Sequence, residues 1–479
     1  MHVIIAGAGP CGLLLALQLQ RAGIQATILE RAAEDKLLAD VGSGYDLSPS
    51  TTKLLRELGF GHHFGTTFQS YNALYVTSND GTVLRKGLIP QLVRSGGDGG
   101  ALFMAKRSDL QRIFLEALRR EAARQNPETP TPATLWCGVE VLSWREDGSG
   151  GVTVEYQPRG GHGEASIVTG DALLGCDGIH SAVRRGMNAG SDDSMSFCGA
   201  VTWWGKSVIA PGSELELEAA ASQAPGNAFV MTVGSAGQPG SLIGGVVVDG
   251  DPNSAEGKKM IWALTMAPSP EVTDLILGKV GDDLTRRGGI VGKEAKAMAV
   301  DSVDRYGSTL VKRVVAAAEE SNVTLVGLFD RKDLSKPWVS PGGLVALLGD
   351  AAHPQSPMQG QGVNMAINDA YCVARRLVAV IGGQASSNSK ESAQQQICMG
   401  VPEALRAYDN ASRRKEVNSV IRRARDMTSW SVTSSFWVTW AFRLSIAWMP
   451  YSWIVAEITS ADAANCNALE RLERELGSS

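Results

Sequence analysis

The sequence predicts an α/β protein: a Rossmann-like domain, a mixed β-sheet domain and C-terminal helices. Three observations carry that prediction: an N-terminal strand, glycine turn, helix and strand; a run of β-like segments in mid-chain; and helical patterning from Glu403 onward. At 479 residues the chain exceeds the size at which one core stops growing, so more than one lobe is expected. The hydrophobic fraction is 44% and the charged fraction 20%, which excludes a disordered chain. With 45 basic and 50 acidic residues the net charge is −5, and no nucleic-acid surface is implied.

The first element is "HVIIAGAGPCGLLLALQLQRAGIQATILER". Val3 to Ala6 suit a parallel strand buried on both faces, and Leu13 to Gln20 continue as a helix. The opening apolar run has no basic segment before it and is too short for a signal peptide. Between strand and helix, Gly7, Gly9 and Gly12 form GxGxxG. The first serves the tight turn, the second the approach of a pyrophosphate, and the third close helix packing. The second strand ends in Glu30, placed to accept bonds from a ribose hydroxyl, so the adenosine half of a dinucleotide is expected.

"KRSDLQRIFLEAL" follows as a helix that Ser108 or Asp109 is suited to cap, with Arg107 at its mouth. "DALLGCDGIHSAVRRGM" repeats strand, turn and short helix, and Asp177 there is either a ligand contact or a plain helix cap. "YNALYVTSNDGTVLRKG" reads as a hairpin about an Asn-Asp-Gly turn. "FCGAVTWWGKSVI", "NAFVMTVGS", "SLIGGVVVDG" and "MIWALTMA" are further strands. Trp203 and Trp204 are adjacent, so one should face a pocket and the other turn away. "GLVALLGDAAHPQSPMQGQGVNMAINDA" ends an apolar strand in about a dozen residues of unusual backbone before a helix at Met365, a geometry suited to wrapping a ligand.

These motifs together resemble the single-component FAD-dependent monooxygenases of the para-hydroxybenzoate hydroxylase type, the group A flavoprotein hydroxylases, which include the tetracycline-inactivating monooxygenases. The match covers about residues 1 to 425. It rests on GxGxxG at Gly7-Ala8-Gly9-Pro10-Cys11-Gly12, the DG motif at Cys176 to Arg184, and the GD motif at Gly349-Asp350-Ala351-Ala352-His353-Pro354, in the family's order. The resemblance implies that Gly7, Gly9, Gly12, Glu30, Arg31, Arg107 and Asp177 bind FAD. Asp350 would hold ribityl hydroxyls, Pro357 would lie beside the ring, and Gly360, Gly362, Val363 and Asn364 would offer backbone donors. Amides at a helix start also suit the negative charge of a reduced flavin.

The implied activity is NAD(P)H-dependent insertion of one oxygen atom from O2, through a flavin C4a-hydroperoxide. The substrate would be an electron-rich, aromatic or polycyclic small molecule, hydroxylated or epoxidised, as in secondary metabolism. Relatives often carry an arginine after the second strand, where this chain has Ala39; Lys36 is the nearest substitute. No catalytic acid or base is singled out, since His180 and His353 both lie inside cofactor motifs. A flavin-dependent halogenase is the alternative on this fold, although "WVTWAF" lacks the Ile-Pro of the halogenase signature. A non-catalytic prenyl-protein chaperone is the other, but it would have no need of the wrap from Asp350 to Asn364.

The resemblance divides the chain into a discontinuous FAD-binding domain (1–70, 101–185 and 328–382), a substrate-binding sheet domain (71–100 and 186–327) and a C-terminal helical region (397–479). Loops are expected at 95–100, 126–134 and 158–164, and loose order at 382–396. Seven scattered cysteines show no CxxC pair and no metal-ligand spacing, so no metal is expected and a reducing, cytoplasmic compartment is. "TSWSVTSSFWVTWAFRLSIAWMPYSWIV" holds five of the eleven tryptophans. Arg443 and Pro450 argue against a span, and a helix pair packed on the catalytic domains is preferred there over peripheral membrane contact through residues 429–455.

Overall fold

The computed structural model describes residues 1–39, 44–88, 102–124, 133–148, 150–160, 163–187, 195–209, 227–235, 240–248, 258–280, 289–306, 308–331, 336–382, 400–448 and 450–477. The loops expected at 95–100, most of 126–134 and nearly all of 382–396 lie outside them. The helices that shape the site are α1 (Pro10–Arg21), α2 (Arg107–Arg124), α3 (Ala182–Met187), α4 (Gly362–Gly382), α5 (Ala411–Val432), α6 (Phe436–Trp448) and α7 (Tyr451–Gly477).

A parallel sheet forms the first body, in the order Val345–Leu347, Ala172–Gly175, His2–Ala6, Gln25–Glu30, Thr134–Cys137. Val3, Ile4 and Ile5 are all fully buried, which is why this strand is continuously apolar and not alternating. Leu13, Leu15 and Leu17 of α1 and Met365 and Ile367 of α4 share its core. Proline at the first position of α1 starts that helix three residues before the expected Leu13, since its ring presets the helical φ and its missing N–H is not needed there.

A ten-stranded mixed sheet forms the second body. Its central strands are Thr324–Asp330, Ser196–Val208, Lys258–Met266, Ser241–Val248, Asn227–Val233 and Gln69–Ser78, and the expected hairpin pairs Val83–Leu88 with the last of these. Gly81 turns that hairpin at φ +85°. Two strands of the N-terminal segments, Gly44–Leu47 and Phe103–Lys106, extend the sheet, and Thr324–Asp330 runs across the division expected at residue 328.

Alternation puts the two tryptophans on opposite faces of the sheet. Trp203 is buried in the core under the helices Lys293–Tyr306 and Thr309–Ala316. Trp204 shares the opposite face with Ala263 and Ile261, its neighbours across the strand pair. That face lies against the Gly44–Leu47 strand at the far end of the same sheet: a Cβ on Gly44 would stand 3.2 Å from Ile261 Cγ2.

The C-terminal helices divide in their packing. Helix α7 docks on the first body, where Asp462 and Asn465 are buried. Helix α6 leaves its aromatic residues largely in solvent.

Candidate functional site

Every motif lies at the carboxyl end of a parallel strand, the edge at which open α/β sheets bind ligands. Gly7 follows His2–Ala6, Glu30 ends Gln25–Glu30, Asp177 follows Ala172–Gly175, and Gly349-Asp350 follow Val345–Leu347.

At the first turn the three glycines have different duties. Gly7 sits at φ +99°, and a Cβ there would stand 2.5 Å from the Cys176 carbonyl oxygen. A Cβ on Gly12 would overlap the Gly7 carbonyl. Gly9 meets nothing within 4 Å, so its bare face is not dictated by the protein's own packing. It is the N-cap of α1 without a side-chain cap, which leaves the first amides of the helix for an anion. The Glu30 carboxylate accepts from the Ala8 amide at 2.7 Å and the Ala32 amide at 2.7 Å. Both oxygens retain lone pairs for a ligand hydroxyl. Arg31 is exposed beside this turn, and Lys36 lies on the surface 3.7 Å from Asp35.

Asp177 does cap a helix, as one of the two sequence readings held: its Oδ2 accepts from the amides of Ala182 (2.7 Å) and Val183 (3.3 Å). Its Oδ1 is buried without a protein partner, an acceptor left for something else. Burial raises this carboxyl above the usual carboxylate range. Burial likewise lowers the His180 imidazole, helped by Arg31, Arg184 and Arg185, to about 4. His180 is therefore neutral near pH 7. Arg184, quoted in the motif but assigned no role from sequence, joins the two loops: its guanidinium donates to the carbonyls of Ile179 (2.6 Å) and Ala351 (2.9 Å).

Asp350 is exposed at the strand end yet ringed closely enough by protein that desolvation raises its carboxyl, against the pull of His353 and Arg184. Facing it is the start of α4. That helix begins at Gly362, three residues before the expected Met365, because Gly360 reverses the chain at φ +62° and the Met365 amide already bonds the Gln361 carbonyl. Gly362, Val363 and Asn364 thus fill the first turn, where amides have no partner inside the helix. A Cβ on Gly362 would lie 3.8 Å from Asp350 Oδ1, an ordinary contact, so the backbone itself tolerates one. Pro357 opens a single 3-10 turn, Pro357–Gln359, beside it.

The side chain of Asn364 is fully committed elsewhere, accepting from the Ser48 amide (3.0 Å) and donating to Asp46 and Gly360 carbonyls (2.8 Å each). Only its backbone is left for a ligand. Burial raises the Tyr45 phenol, with the nearby Arg107 charge opposing the rise and the Asp350 charge adding to it. Tyr45, Arg107 and Asp350 are thereby brought together. The caps expected for α2 are not formed. The helix begins at Arg107 itself, so Asp109 lies inside the first turn, paired with Lys106 (3.3 Å) and Arg112 (2.8 Å). Sequence reading also passed over Gln111, whose Nε2 reaches the Ala8 carbonyl at 3.4 Å while its Oε1 is buried without a partner.

Beneath the GD turn lies a buried charge cluster. Asp369 accepts from the Gly349 amide (3.0 Å), from His353 Nε2 (2.6 Å) and from Arg413 of α5 (3.0 Å). Burial alone would raise the Asp369 carboxyl, but His353, Arg413 and the Gly349 amide together bring it down to about 2. His353 is thus a structural anchor of the turn. The orphaned Asp177 Oδ1, the open Gly9 face and the free amides at two helix starts fit a long, polyhydroxylated, anionic dinucleotide.

Comparison with known proteins agrees. The family described as "FAD binding domain" matches residues 1–234 and 335–405. Aurachin C monooxygenase/isomerase of Stigmatella aurantiaca is 25% identical over 377 residues, covering 79% of this chain and 80% of that one. 3-Hydroxybenzoate 6-hydroxylase 1 of Aquipseudomonas alcaligenes is 26% identical over 382 residues, covering 78% and 80%. Among solved structures, HpxO of Klebsiella pneumoniae, complexed with FAD and uric acid, aligns with a TM-score of 0.68 at 21% identity over 97% of each chain. The chain belongs to the FAD binding domain family, and within it to the FAD-dependent monooxygenases that its three motifs resemble.

Proposed function

We propose that this enzyme uses NAD(P)H and O2 to hydroxylate or epoxidise an electron-rich aromatic or polycyclic small molecule. The observation that carries the reading is the convergence of Glu30, Asp177 and Asp350 with two helix starts on one sheet edge. The relatives named for acting on aromatic acids and for aurachin C point to the same class of substrate.

Bound FAD supplies the redox chemistry, hydride acceptance and oxygen activation. The chain's part is to bind and orient it. In this reading the α1 amides hold the pyrophosphate and Glu30 the ribose. The Asp177 Oδ1 and Asp350 carboxylates take hydroxyls of the chain between them. Amides of Gly362, Val363 and Asn364 favour an electron-rich ring edge through the α4 dipole. The sheet face bearing Trp204, Ile261 and Ala263, with the Thr202–Thr265 hydroxyl pair (2.8 Å), forms the wall against which an apolar substrate lies and from which water is excluded.

The test is purification followed by anaerobic mixing with NADPH or NADH across a panel of phenols, indoles and polyketides, read by bleaching of the flavin absorbance. A yellow protein whose reduction is accelerated by one class of aromatic compound is the expected result. A protein with no affinity for FAD overturns the cofactor assignment, and one reduced by neither nucleotide overturns the reductant.

A further inference from the structure

Helix α6, Phe436–Trp448, turns most of its aromatic side chains to solvent. A surface helix normally turns charge to water and apolar groups to the core. Here the inward side carries half-buried Phe442 and Ile446 together with Thr439, which is buried, and Arg443, which pairs with Asp80 at 3.0 Å, while the outward side is apolar as well. Arg85 of the neighbouring hairpin strand donates to the Ile446 carbonyl at 2.9 Å, so the helix is held to the second body by polar contacts.

At about 100° per residue, Phe436, Trp437, Trp440, Ala441, Leu444, Ala447 and Trp448 share one arc. All seven are exposed, Trp448 to 82%, Trp437 to 72%, Phe436 to 53% and Trp440 to 50%. None of them is charged. Their rings form a continuous ridge, with centroids 5.3 Å apart from Phe436 to Trp437 and 6.3 Å from Trp437 to Trp440. Trp430, at the end of α5, packs on Phe442 at 6.1 Å on the other side of the helix and is no part of this ridge.

Three considerations decide what covers this face. A stable contact with a second protein engages roughly 20–30 residues a side, and a ridge of seven side chains on a convex helix falls well short of that. Exposed tryptophans in number are the chemistry of the bilayer interface, where the ring meets acyl chains and the indole N–H meets the headgroups. Among the described residues no helix is long and apolar enough to cross a membrane, which leaves the geometry of a helix lying in the interface plane. We propose that α6 is a monotopic membrane anchor, seating its aromatic ridge in the headgroup boundary of a lipid bilayer. The anchor stands beside the Val83–Leu88 hairpin of the large sheet. The enzyme would accordingly work at the surface where lipophilic molecules collect, whatever its substrate is.

The experiment is flotation of the full-length protein with phosphatidylcholine vesicles on a density gradient, beside the triple variant Trp437→Glu, Trp440→Glu, Trp448→Glu. The three side chains are exposed, so the variant should fold with unchanged circular dichroism and unfolding temperature. The expected result is that the parent floats with the vesicles, equally at low and at 0.5 M (roughly 4 Å Debye length) salt, because no cation lies on the face. The variant should lose about tenfold or more of its partitioning. Bromine-labelled lipid should also quench the parent's tryptophan emission. A parent that stays unbound, or a variant that floats equally well, overturns the proposal. So does a parent that is dimeric without lipid while the variant is monomeric, since the ridge would then be an interface between copies of this chain.

Discussion

Asp350 of the GD turn and Asp369 of α4 beneath it are carboxylates put to opposite ends. Asp350 has few partners of its own and faces the start of α4. Its replacement by alanine removes an ionic acceptor for ligand hydroxyls, a bond worth about 1.5–3 kcal/mol. FAD affinity should fall roughly ten- to a hundredfold, with little change in the unfolding temperature of the cofactor-free protein. Titration of FAD fluorescence against the apoprotein measures this, and parental affinity in Asp350→Ala would remove the carboxylate from the site. Asp369, by contrast, is saturated by His353, Arg413 and the Gly349 amide and is held at about 2. Its folded value lies below the ordinary carboxylate value of 3.8, so its contribution to stability is complete above about pH 4 and is lost as the pH falls toward 2. The shift corresponds to stability on the order of 2 kcal/mol. Asp369→Asn keeps the shape and strands the buried Arg413 guanidinium, so at pH 7 it should lower the unfolding temperature by several degrees. Parent and variant should converge as the pH approaches 2, a trend visible in thermal unfolding between pH 2.5 and 7. A gap that stays constant with pH would assign the loss to packing and not to charge.

The start of α4 was legible in sequence as a place of unusual backbone, and its glycines separate into two kinds only in the structure. Gly360 is needed for the fold: at φ +62° any side chain is strained, and a Cβ would press to 3.3 Å from Asp46 Oδ2. Gly360→Ala should destabilise the apoprotein by about 1 kcal/mol or more. Gly362 has ordinary φ and room for a Cβ, so Gly362→Val should fold nearly as well as the parent. Its cost should appear only toward the cofactor, as weaker FAD binding and a larger yield of hydrogen peroxide per NAD(P)H consumed. Parental affinity and coupling in Gly362→Val would show that no ring edge lies against this helix start. The motifs could be read because each is local, a glycine pattern between a strand and a helix whose physical purpose is set by its neighbours. Tyr45, Gln111 and Arg413 could not, because each acts on a distant segment: Gln111 on Ala8, Arg413 on Asp369, Tyr45 on Arg107. Pairings of that kind leave no periodicity in the chain. Asp109 was misplaced as a cap for the ordinary reason that a helix boundary is uncertain by a residue or two in sequence.

At the scale of the molecule, the C-terminal helices are more than an appendage to the family's domain, whose match ends at residue 405. Asp462 of α7 accepts from the Ser50 amide (2.9 Å) and the Ser50 hydroxyl (2.6 Å), a pairing 412 residues apart, and so holds the start of the helix Pro49–Leu55 that directly follows the strand carrying Tyr45. Asn465 donates to the Gln361 side chain at 3.2 Å, at the cap of α4, while Arg413 of α5 bonds both the Ala464 carbonyl (2.6 Å) and Asp369. Three pieces of the candidate flavin site, the Tyr45 strand, the α4 start and the GD turn, are therefore clamped from behind by one helix pair. Their mutual spacing depends on it. Asp462→Ala removes two bonds to Ser50 and leaves a buried amide without an acceptor, at about 1–3 kcal/mol. If α7 only braces the body, the variant should lose a few degrees of unfolding temperature with the FAD affinity of its folded form unchanged. The clamp predicts a second loss, because a loosened site must be ordered again each time the cofactor binds. The stabilisation that saturating FAD confers, which follows from its affinity, should then shrink in Asp462→Ala relative to the parent. Thermal unfolding of both proteins with and without FAD separates the two outcomes. An equal FAD-induced shift would confine α7 to structural support.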